Sequence, residues 1–231
     1  MKSLYKTDKK NIFENYNFGK NTKLKTDIDK IFNENINTID IIVIKSTGGM
    51  GGSYLLHALY DKLIELRFDA QIFKSDWWHE SERRNIKAAK NKCILFEGFH
   101  NIYRKNDDVF ISSFHLDLAN KIQSGSKIIC KINHEYTDNR FFEFINAYRV
   151  YEVFLNKMDT NVINNMITEG KINLELELNK EQENIIENFT FTNYRELQAY
   201  LLMVKCEITR TNETVSETLM QSVYNRLKKS C

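Results

Sequence analysis

The segment from Ile39 to Leu59 constrains the fold more than any other part of the chain. An apolar run over 41–44 leads into four glycines between residues 48 and 52, and an amphipathic helical pattern follows. This is the order of a strand, a phosphate-binding loop and a helix, in which backbone N–H groups and the helix dipole attract phosphate. The segment therefore predicts an α/β sheet built around an anion-binding loop.

The glycine cluster departs from the standard phosphate-loop pattern, G-x-x-x-x-G-K-[ST]. Ser46 stands at the first glycine, Gly51 at the second, Gly52 at the lysine and Ser53 at the hydroxyl position. The backbone cradle is expected to survive, while the cation that neutralises phosphate charge is missing. Losing such a charge-assisted contact costs about 1.5–3 kcal/mol of binding free energy. Lys45 precedes the loop, but strand geometry aims it poorly for a substitute.

Composition limits the function classes. A net charge of +2 over 231 residues gives no strong global field for nucleic acid. No apolar run approaches about 18 residues, so no membrane span is predicted, and the N-terminus lacks the apolar region of a secretory signal. The five histidines show no metal-binding spacing. The cysteines are expected to be free thiols, which fits a reducing, cytoplasmic location: Cys93 and Cys130 in buried strands, and Cys206 and Cys231.

Short apolar runs alternate with helical patterns through the first part of the chain. Such alternation is typical of a parallel sheet with helices packed on it. The predicted strands are 40–45, 70–74, 93–97, 127–132 and 149–154, and the predicted helices between them are 53–66, 79–90 and 109–123.

From about residue 159 onward, helix follows helix. The helices are expected to begin at capping signatures: Asp159 or Thr160, Asn179, Asn193 with Glu196, and Thr214 with Glu217. The chain is therefore predicted to consist of a flexible polar arm over 1–12, an α/β domain over 13–158 and a small all-helical domain over 159–231.

Taken together, these patterns resemble the DnaA family of AAA+ proteins. Residues 49–59, G-M-G-G-S-Y-L-L-H-A-L, are similar to the family's phosphate loop and first helix, and residues 13–21 are similar to its segment near the adenine. Residues 193–197, N-Y-R-E-L, match the family's N-V-R-E-L, which gives Arg195 the place of the lid-borne sensor 2 arginine. The resemblance covers about residues 12–228 and implies a five-stranded parallel P-loop sheet with helices on both faces, followed by a small helical lid.

The resemblance also implies a role. We expect no room before Cys231 for the initiator's DNA-reading helix-turn-helix domain, and we expect the connection after Lys74 to be too short for the helix with which initiators grip single-stranded DNA. Both features resemble the stand-alone Hda-type regulators of DnaA, although their clamp-binding peptide has no convincing match in residues 2–5. The implied function is regulation of chromosomal replication initiation through protein contacts, with DnaA or another replisome protein as partner.

The positions that drive hydrolysis in the family are altered here. Glu97 stands at the first acidic position of the Walker B strand, and Gly98 stands at the second, where an acid would orient water. Asn133 takes the sensor 1 position at the tip of the fourth strand. The stretch that matches the arginine-finger segment has no arginine in register, since Arg140 and Arg149 both lie outside it.

Hydrolysis of ATP is therefore predicted to be weak or lost, with ADP or ATP and Mg²⁺ as weakly bound cofactors. No catalytic residue and no metal site is assigned. The candidate nucleotide-binding residues are Gly48, Gly49, Gly51, Gly52, Ser53, Glu97, Asn133 and Arg195.

Two alternatives stay open. Basic residues after Trp77 and Trp78, among them Arg83, Arg84 and Lys87, would suit a helicase loader or a DNA-binding accessory protein. A solvated helix face is the commoner origin of such a run, and core packing is the commoner role of the tryptophans, although an exposed one would anchor a protein partner. The other alternative, an active nucleotide-switching ATPase, needs some residue to compensate for the missing lysine.

Overall fold

The computed structural model describes residues 25–26, 28–29, 31, 38–74, 80–90, 92–155, 160–212 and 214–230. These residues divide into two compact units, the sheet unit (described residues up to 155) and the helical unit (described residues from 160 on). The predicted arm over 1–12, both tryptophans and Cys231 lie outside the described residues. Among the described helices, none has the length and apolar character needed to cross a membrane.

Five parallel strands form the centre of the sheet unit, in the order β2-β3-β4-β1-β5, which confirms the predicted α/β class. Their bounds are Ile41–Ser46 for β1, Ala70–Lys74 for β2, Cys93–Glu97 for β3, Lys127–Asn133 for β4 and Val150–Leu155 for β5. The residues of β1 and β3 are almost all buried, as expected for strands covered on both faces. Because the strands are parallel, Ser46, Glu97 and Asn133 end at the same edge of the sheet.

Helices cover both faces of this sheet. The bounds are Gly52–Glu65 for α1, Glu80–Ala88 for α2, His100–Lys105 for α3, Asp108–Gln123 for α4 and Asn139–Ile145 for α5. Helix α1 packs across β1 to β4 on one face, while α3, α4 and α5 bury apolar side chains against the other. The sequence patterns predicted α1, α2 and α4 but gave no indication of α3 or α5.

Aromatic rings dominate the core on the face covered by α3 to α5. The ring of Phe99 is buried, with centroids 5.1 Å from Phe96, 5.8 Å from Phe114 and 5.7 Å from Phe141. This cluster fixes the chain that follows the end of β3. Cys93 and Cys130 are buried and free, as predicted, and burial raises the pKa of the Cys93 thiol to about 11.

Four helices form the helical unit and enclose a separate apolar core. Their bounds are Thr160–Asn173 for α6, Lys180–Asn188 for α7, Tyr194–Thr211 for α8 and Glu217–Ser230 for α9. Asn179 caps α7 in a full capping box, and the Asn193 side chain accepts the backbone N–H of Glu196 at the start of α8. The predicted cap at Thr214 is wrong, because α9 begins at Glu217 and the Ser216 hydroxyl accepts the N–H of Leu219.

His115 makes the sheet unit sensitive to acid. Its Nε2 is hydrogen-bonded to the Tyr103 hydroxyl at 2.8 Å, and its ring stacks on Phe144. Burial lowers the pKa of His115 to about 4, and the charge of Arg140 adds to the decrease. A histidine whose pKa is lower in the folded state stabilises the fold fully above its unfolded pKa, near 6.5, and this stabilisation is lost as the pH falls towards 4.

The free energy of unfolding should therefore fall by roughly 1.5 kcal/mol between about pH 6.5 and 5 through this residue alone. Urea titrations at several pH values measure this loss for the wild type and for His115→Gln, which cannot titrate. The variant is expected to show the smaller dependence on pH. If the free energy of unfolding falls equally with pH in the two proteins, the role assigned to His115 is contradicted.

Candidate functional site

The loop from Thr47 to Gly51 joins the carboxyl end of β1 to α1. Gly49 and Gly51 have φ angles of 80° and 81°, in the left-handed region that glycine adopts most readily. The N–H of Met50 donates to the carbonyl of Thr47 at 3.2 Å and closes a turn. No side-chain cap is made to α1, and its first turn has no acid. The first N–H groups of this helix therefore point to a place that suits an anion.

Ser46 and Gly52 reverse the standard loop pattern. The Ser46 side chain is buried, and a Cβ built on Gly52 would lie 2.1 Å from its Oγ and 2.6 Å from its Cβ. Such distances are far below van der Waals contact, so a side chain at position 52 and the one at Ser46 exclude each other. The standard pattern has glycine at the position of Ser46 and lysine at the position of Gly52. This chain has its side chain at position 46 and its glycine at position 52.

Gly52→Lys alone is therefore expected to destabilise the protein by about 1–3 kcal/mol, the usual cost of overpacking, and not to create a working phosphate loop. The paired change Ser46→Gly/Gly52→Lys removes the clash and should recover most of that loss. Urea unfolding of both variants measures the difference. The steric argument is wrong if the single variant is as stable as the paired one.

Polar and charged side chains from three elements lie near this loop, on the face of the sheet that α1 covers. The Cε atom of Lys131 lies 3.3 Å from the position that a Cβ of Gly52 would take. Glu97 Oε2 lies 3.3 Å from His57 Nε2 of α1. The register of β3 and β4 pairs Phe96 with Cys130, which sets Glu97 beside Lys131 at the end of the ladder.

Sequence reasoning missed Lys131 and His57. The available signal was a lysine inside the otherwise apolar run of β4, two residues before Asn133 and therefore on the same face of the strand. Lys45, predicted from strand geometry to be poorly aimed for this role, turns to the opposite face. Its ammonium pairs with Glu152 and lies over the rings of Phe142 and Phe154.

Asn133 ends β4 opposite the last residue of β1 in the sheet register. Its Oδ1 accepts the N–H of Glu135 at 3.3 Å, which closes the turn after the strand. His134 is an exposed turn residue whose N–H donates to the carbonyl of Ser46. Within the described ranges, no group of His, Cys, Asp or Glu side chains is arranged to hold a metal ion.

Both arginines that lie out of register with the finger segment make ion pairs within the chain. Arg140 donates to Asp138 and Asp108 at 2.7 Å and to the carbonyl of Tyr103 at 2.9 Å. Hydrogen bonding from Arg140 lowers the pKa of the Asp138 carboxyl. The guanidinium of Arg149 donates to both oxygens of Asp40. Each arginine therefore stabilises this chain's own fold.

The remaining candidates lie on helices. Arg195 is exposed in the first turn of α8, in the helical unit, whereas the other candidate nucleotide-binding residues belong to the sheet unit. In the proposed DNA-contacting run, Arg84 and Lys87 are exposed on α2. Arg83, in the same run, donates from Nε to Asp117 of α4 at 2.7 Å, and Asp117 is almost fully buried.

Solved structures similar to this chain show its fold. A DNA replication initiation factor has a TM-score of 0.69, covers 90% of this chain and 69% of its own, and is 15% identical. Domain III of the Thermotoga maritima replication initiation protein DnaA has a TM-score of 0.68, with 93% and 95% coverage and 14% identity. The fold is that of an AAA+ domain.

The AAA+ fold is shared more widely than replication initiators. The Thermotoga maritima RuvB branch migration motor has a TM-score of 0.64, covers 89% of this chain and 67% of its own, and is only 9% identical. No protein-family model and no curated protein matches the sequence. Because one fold hosts many functions, the activity of this chain follows from its site and not from the fold alone.

In an AAA+ domain, hydrolysis requires an acid at the end of the third strand and a polar group that orients water. Here Glu97 supplies an acid and interacts with His57, and Gly98 follows with a φ of 73°. A glycine has no side chain to orient water. At this edge of the sheet, the uncapped N–H groups of α1 therefore lie near a lysine and an acid, and the residue after that acid has no side chain.

Proposed function

We propose that this chain is a DnaA-related AAA+ module that regulates replication initiation through protein contacts and hydrolyses ATP weakly or not at all. The observation that carries the proposal is the end of β3, where Gly98 stands at the position of the water-orienting acid. The structural similarity to two replication initiation proteins supports the proposed role in replication initiation.

The ion pairs of the two arginines support the same proposal. A protein that stimulates hydrolysis in a neighbour presents an arginine to the neighbour's phosphates. Arg140 is held by two carboxylates and a carbonyl, and Arg149 is held by Asp40. Presenting either one would break ion pairs of this fold. The proposed mode of action is therefore occupation of a contact surface on DnaA or another replisome protein.

An origin-unwinding assay with the DnaA of the same cell tests this function. Purified chain, added in increasing amounts, is expected to change the extent of unwinding until the effect saturates at a fixed ratio to DnaA. An unrelated protein of similar size and charge serves as the control. Unchanged unwinding, together with the absence of a complex with DnaA in sedimentation, would contradict the proposed function.

A DNA-binding accessory role is the second candidate, favoured by the exposed positions of Arg84 and Lys87 on α2 and of Lys90 and Lys92 after it. Phosphate contacts by such residues make binding salt-dependent. Fluorescence anisotropy with labelled single-stranded DNA at two salt concentrations measures this. The double variant Arg84→Ala/Lys87→Ala should bind more weakly and with a smaller salt slope. Equal binding by the variant and the wild type rules out these residues as the DNA contact.

A further inference from the structure

We propose that Lys131 takes the place of the lysine that the loop lacks at Gly52, and that it binds the phosphate chain of a nucleotide at the N-terminus of α1. The inference rests on the proposed AAA+ function only for the nature of the ligand. The position of the cation itself follows from the geometry of β4, β1 and α1.

Lys131 reaches the loop from the neighbouring strand. It pairs with Ile44 in the β1–β4 register and shares a strand face with Asn133, because alternate residues of a strand point the same way. Its Cε lies 3.3 Å from the Cβ position of Gly52, and the ammonium nitrogen is bonded to this Cε at a distance of about 1.5 Å. The positive charge therefore lies at the first turn of α1, where a lysine at position 52 would begin.

Three residues fit together as one arrangement: Ser46, Gly52 and Lys131. A side chain at Gly52 would collide with Ser46 and would crowd the stem of Lys131. Glycine at 52 is thus what allows Lys131 to lie against the start of the helix. The loop has not simply lost its cation, because the cation enters from β4 through the space that the missing side chain leaves.

A second observation points to a ligand at the same place. The Ser46 side chain is 1% exposed, and its Oγ has no hydrogen-bond partner among the described residues. This hydroxyl faces the start of α1, 2.1 Å from the Cβ position of Gly52. A buried hydroxyl without a partner is unfavourable, and an anion over the loop gives it an acceptor.

The donors at this place suit phosphate oxygens. The uncapped N–H groups of α1, the Ser46 hydroxyl and the ammonium of Lys131 all donate hydrogen bonds, and helix N-termini attract negative charge. Glu97 is the acid nearest to Lys131 in the sheet register. Its Oε2 lies 3.3 Å from His57 Nε2. A phosphate chain, with several charged oxygens, can bind all of these donors together.

Isothermal titration with Mg·ATP and with magnesium pyrophosphate tests the proposal. Lys131→Met keeps the stem and removes the charge, and it is expected to weaken the binding of Mg·ATP at least about tenfold. Lys131→Arg should keep most of the affinity. The matched control is Lys127→Met, at the other end of β4, where the lysine lies 3.8 Å from Asp40. This control should bind Mg·ATP as the wild type does. Binding of pyrophosphate alone would assign the site to inorganic phosphate and overturn the nucleotide ligand.

A relocation variant separates charge from structure. Ser46→Gly/Gly52→Lys/Lys131→Met returns the lysine to the standard position and should bind Mg·ATP within about threefold of the wild type. Circular dichroism and thermal melting without ligand confirm that each variant is folded. The assignment is overturned if the wild type binds no Mg·ATP at millimolar concentration, or if Lys131→Met binds as the wild type does. Either result leaves the origin-unwinding test of the proposed function unaffected, so the two failures are distinguishable.

Discussion

Replacing Lys228 with methionine is expected to lower the free energy of unfolding by about 3 kcal/mol. Lys228 of α9 pairs with Glu196 of α8, whose carboxylate is almost fully buried and also accepts the N–H and the hydroxyl of Thr192. Burial alone would raise the pKa of Glu196, but Lys228 and Thr192 outweigh it and hold the pKa below its usual value. Without Lys228, a buried carboxylate loses its counter-charge.

A double variant shows whether the charge is the cause. Glu196→Gln/Lys228→Met leaves no buried charge and retains an acceptor for Thr192, so it should be more stable than Lys228→Met alone. A carboxylate with a lowered pKa stabilises the fold above its unfolded pKa, near 4.3, and this is lost as the pH falls through the folded pKa. The difference in the free energy of unfolding between the wild type and Lys228→Met should therefore become smaller in acid. Urea unfolding at pH 7 and pH 3 measures both effects. A double variant less stable than the single one would contradict the ion-pair argument.

The same ion pair changes how the N-Y-R-E-L segment is understood. The resemblance drew attention to Arg195 as a nucleotide sensor, and Arg195 is exposed on α8. Glu196, the next residue, joins α8 to α9 through Lys228. Part of this motif therefore has a structural reason for its sequence, whether or not a nucleotide binds.

Phe99→Ala is expected to cost about 4 kcal/mol of unfolding free energy, since truncating a fully buried phenylalanine removes both its burial and its packing. The ring meets four other aromatic rings of the sheet unit, those of Phe96, Tyr103, Phe114 and Phe141. The N–H of Phe99 also donates to the carbonyl of Lys131 at 3.3 Å. Loosening the packing around Phe99 should shift the backbone that holds Lys131. The substitution is therefore expected to weaken Mg·ATP binding as well as to lower the free energy of unfolding.

A second phenylalanine provides the control. Phe154 on β5 is 46% exposed, so Phe154→Ala should cost about 1 kcal/mol or less. The midpoint and slope of urea unfolding give the free energy of unfolding of each variant for this comparison. Similar losses for the two substitutions would show that the aromatic cluster around Phe99 does not carry the stability assigned to it.

Much of the fold could be predicted from the sequence because its signals are local. Each strand of the sheet is a short run of mostly apolar residues, and α1 and α4 extend over enough turns to show a helical period. The helices α3 and α5 have only six and seven residues, too few to show that period. Their aromatic residues are buried by tertiary packing, which the local pattern does not record.

The site was only partly predictable, for a different physical reason. Glycines over 48–52 mark the loop in the sequence, since a turn and a strand-to-helix junction need them there. The cation was not predictable in the same way, because Lys131 is distant in sequence and reaches Gly52 only through the pairing of β4 with β1. Lys45, close in sequence, faces the other side of the sheet, since neighbouring residues of a strand point in opposite directions.

We propose that this chain holds a nucleotide and cleaves it weakly or not at all. The most direct measurement incubates the purified chain with Mg·ATP, separates the protein from free nucleotide, and quantifies ATP, ADP and phosphate in the bound and free fractions over time. We expect bound nucleotide to be recovered as intact ATP, with phosphate release at the level of a protein-free control. Release of more phosphate than there is protein, at a rate typical of an active ATPase, would contradict the account.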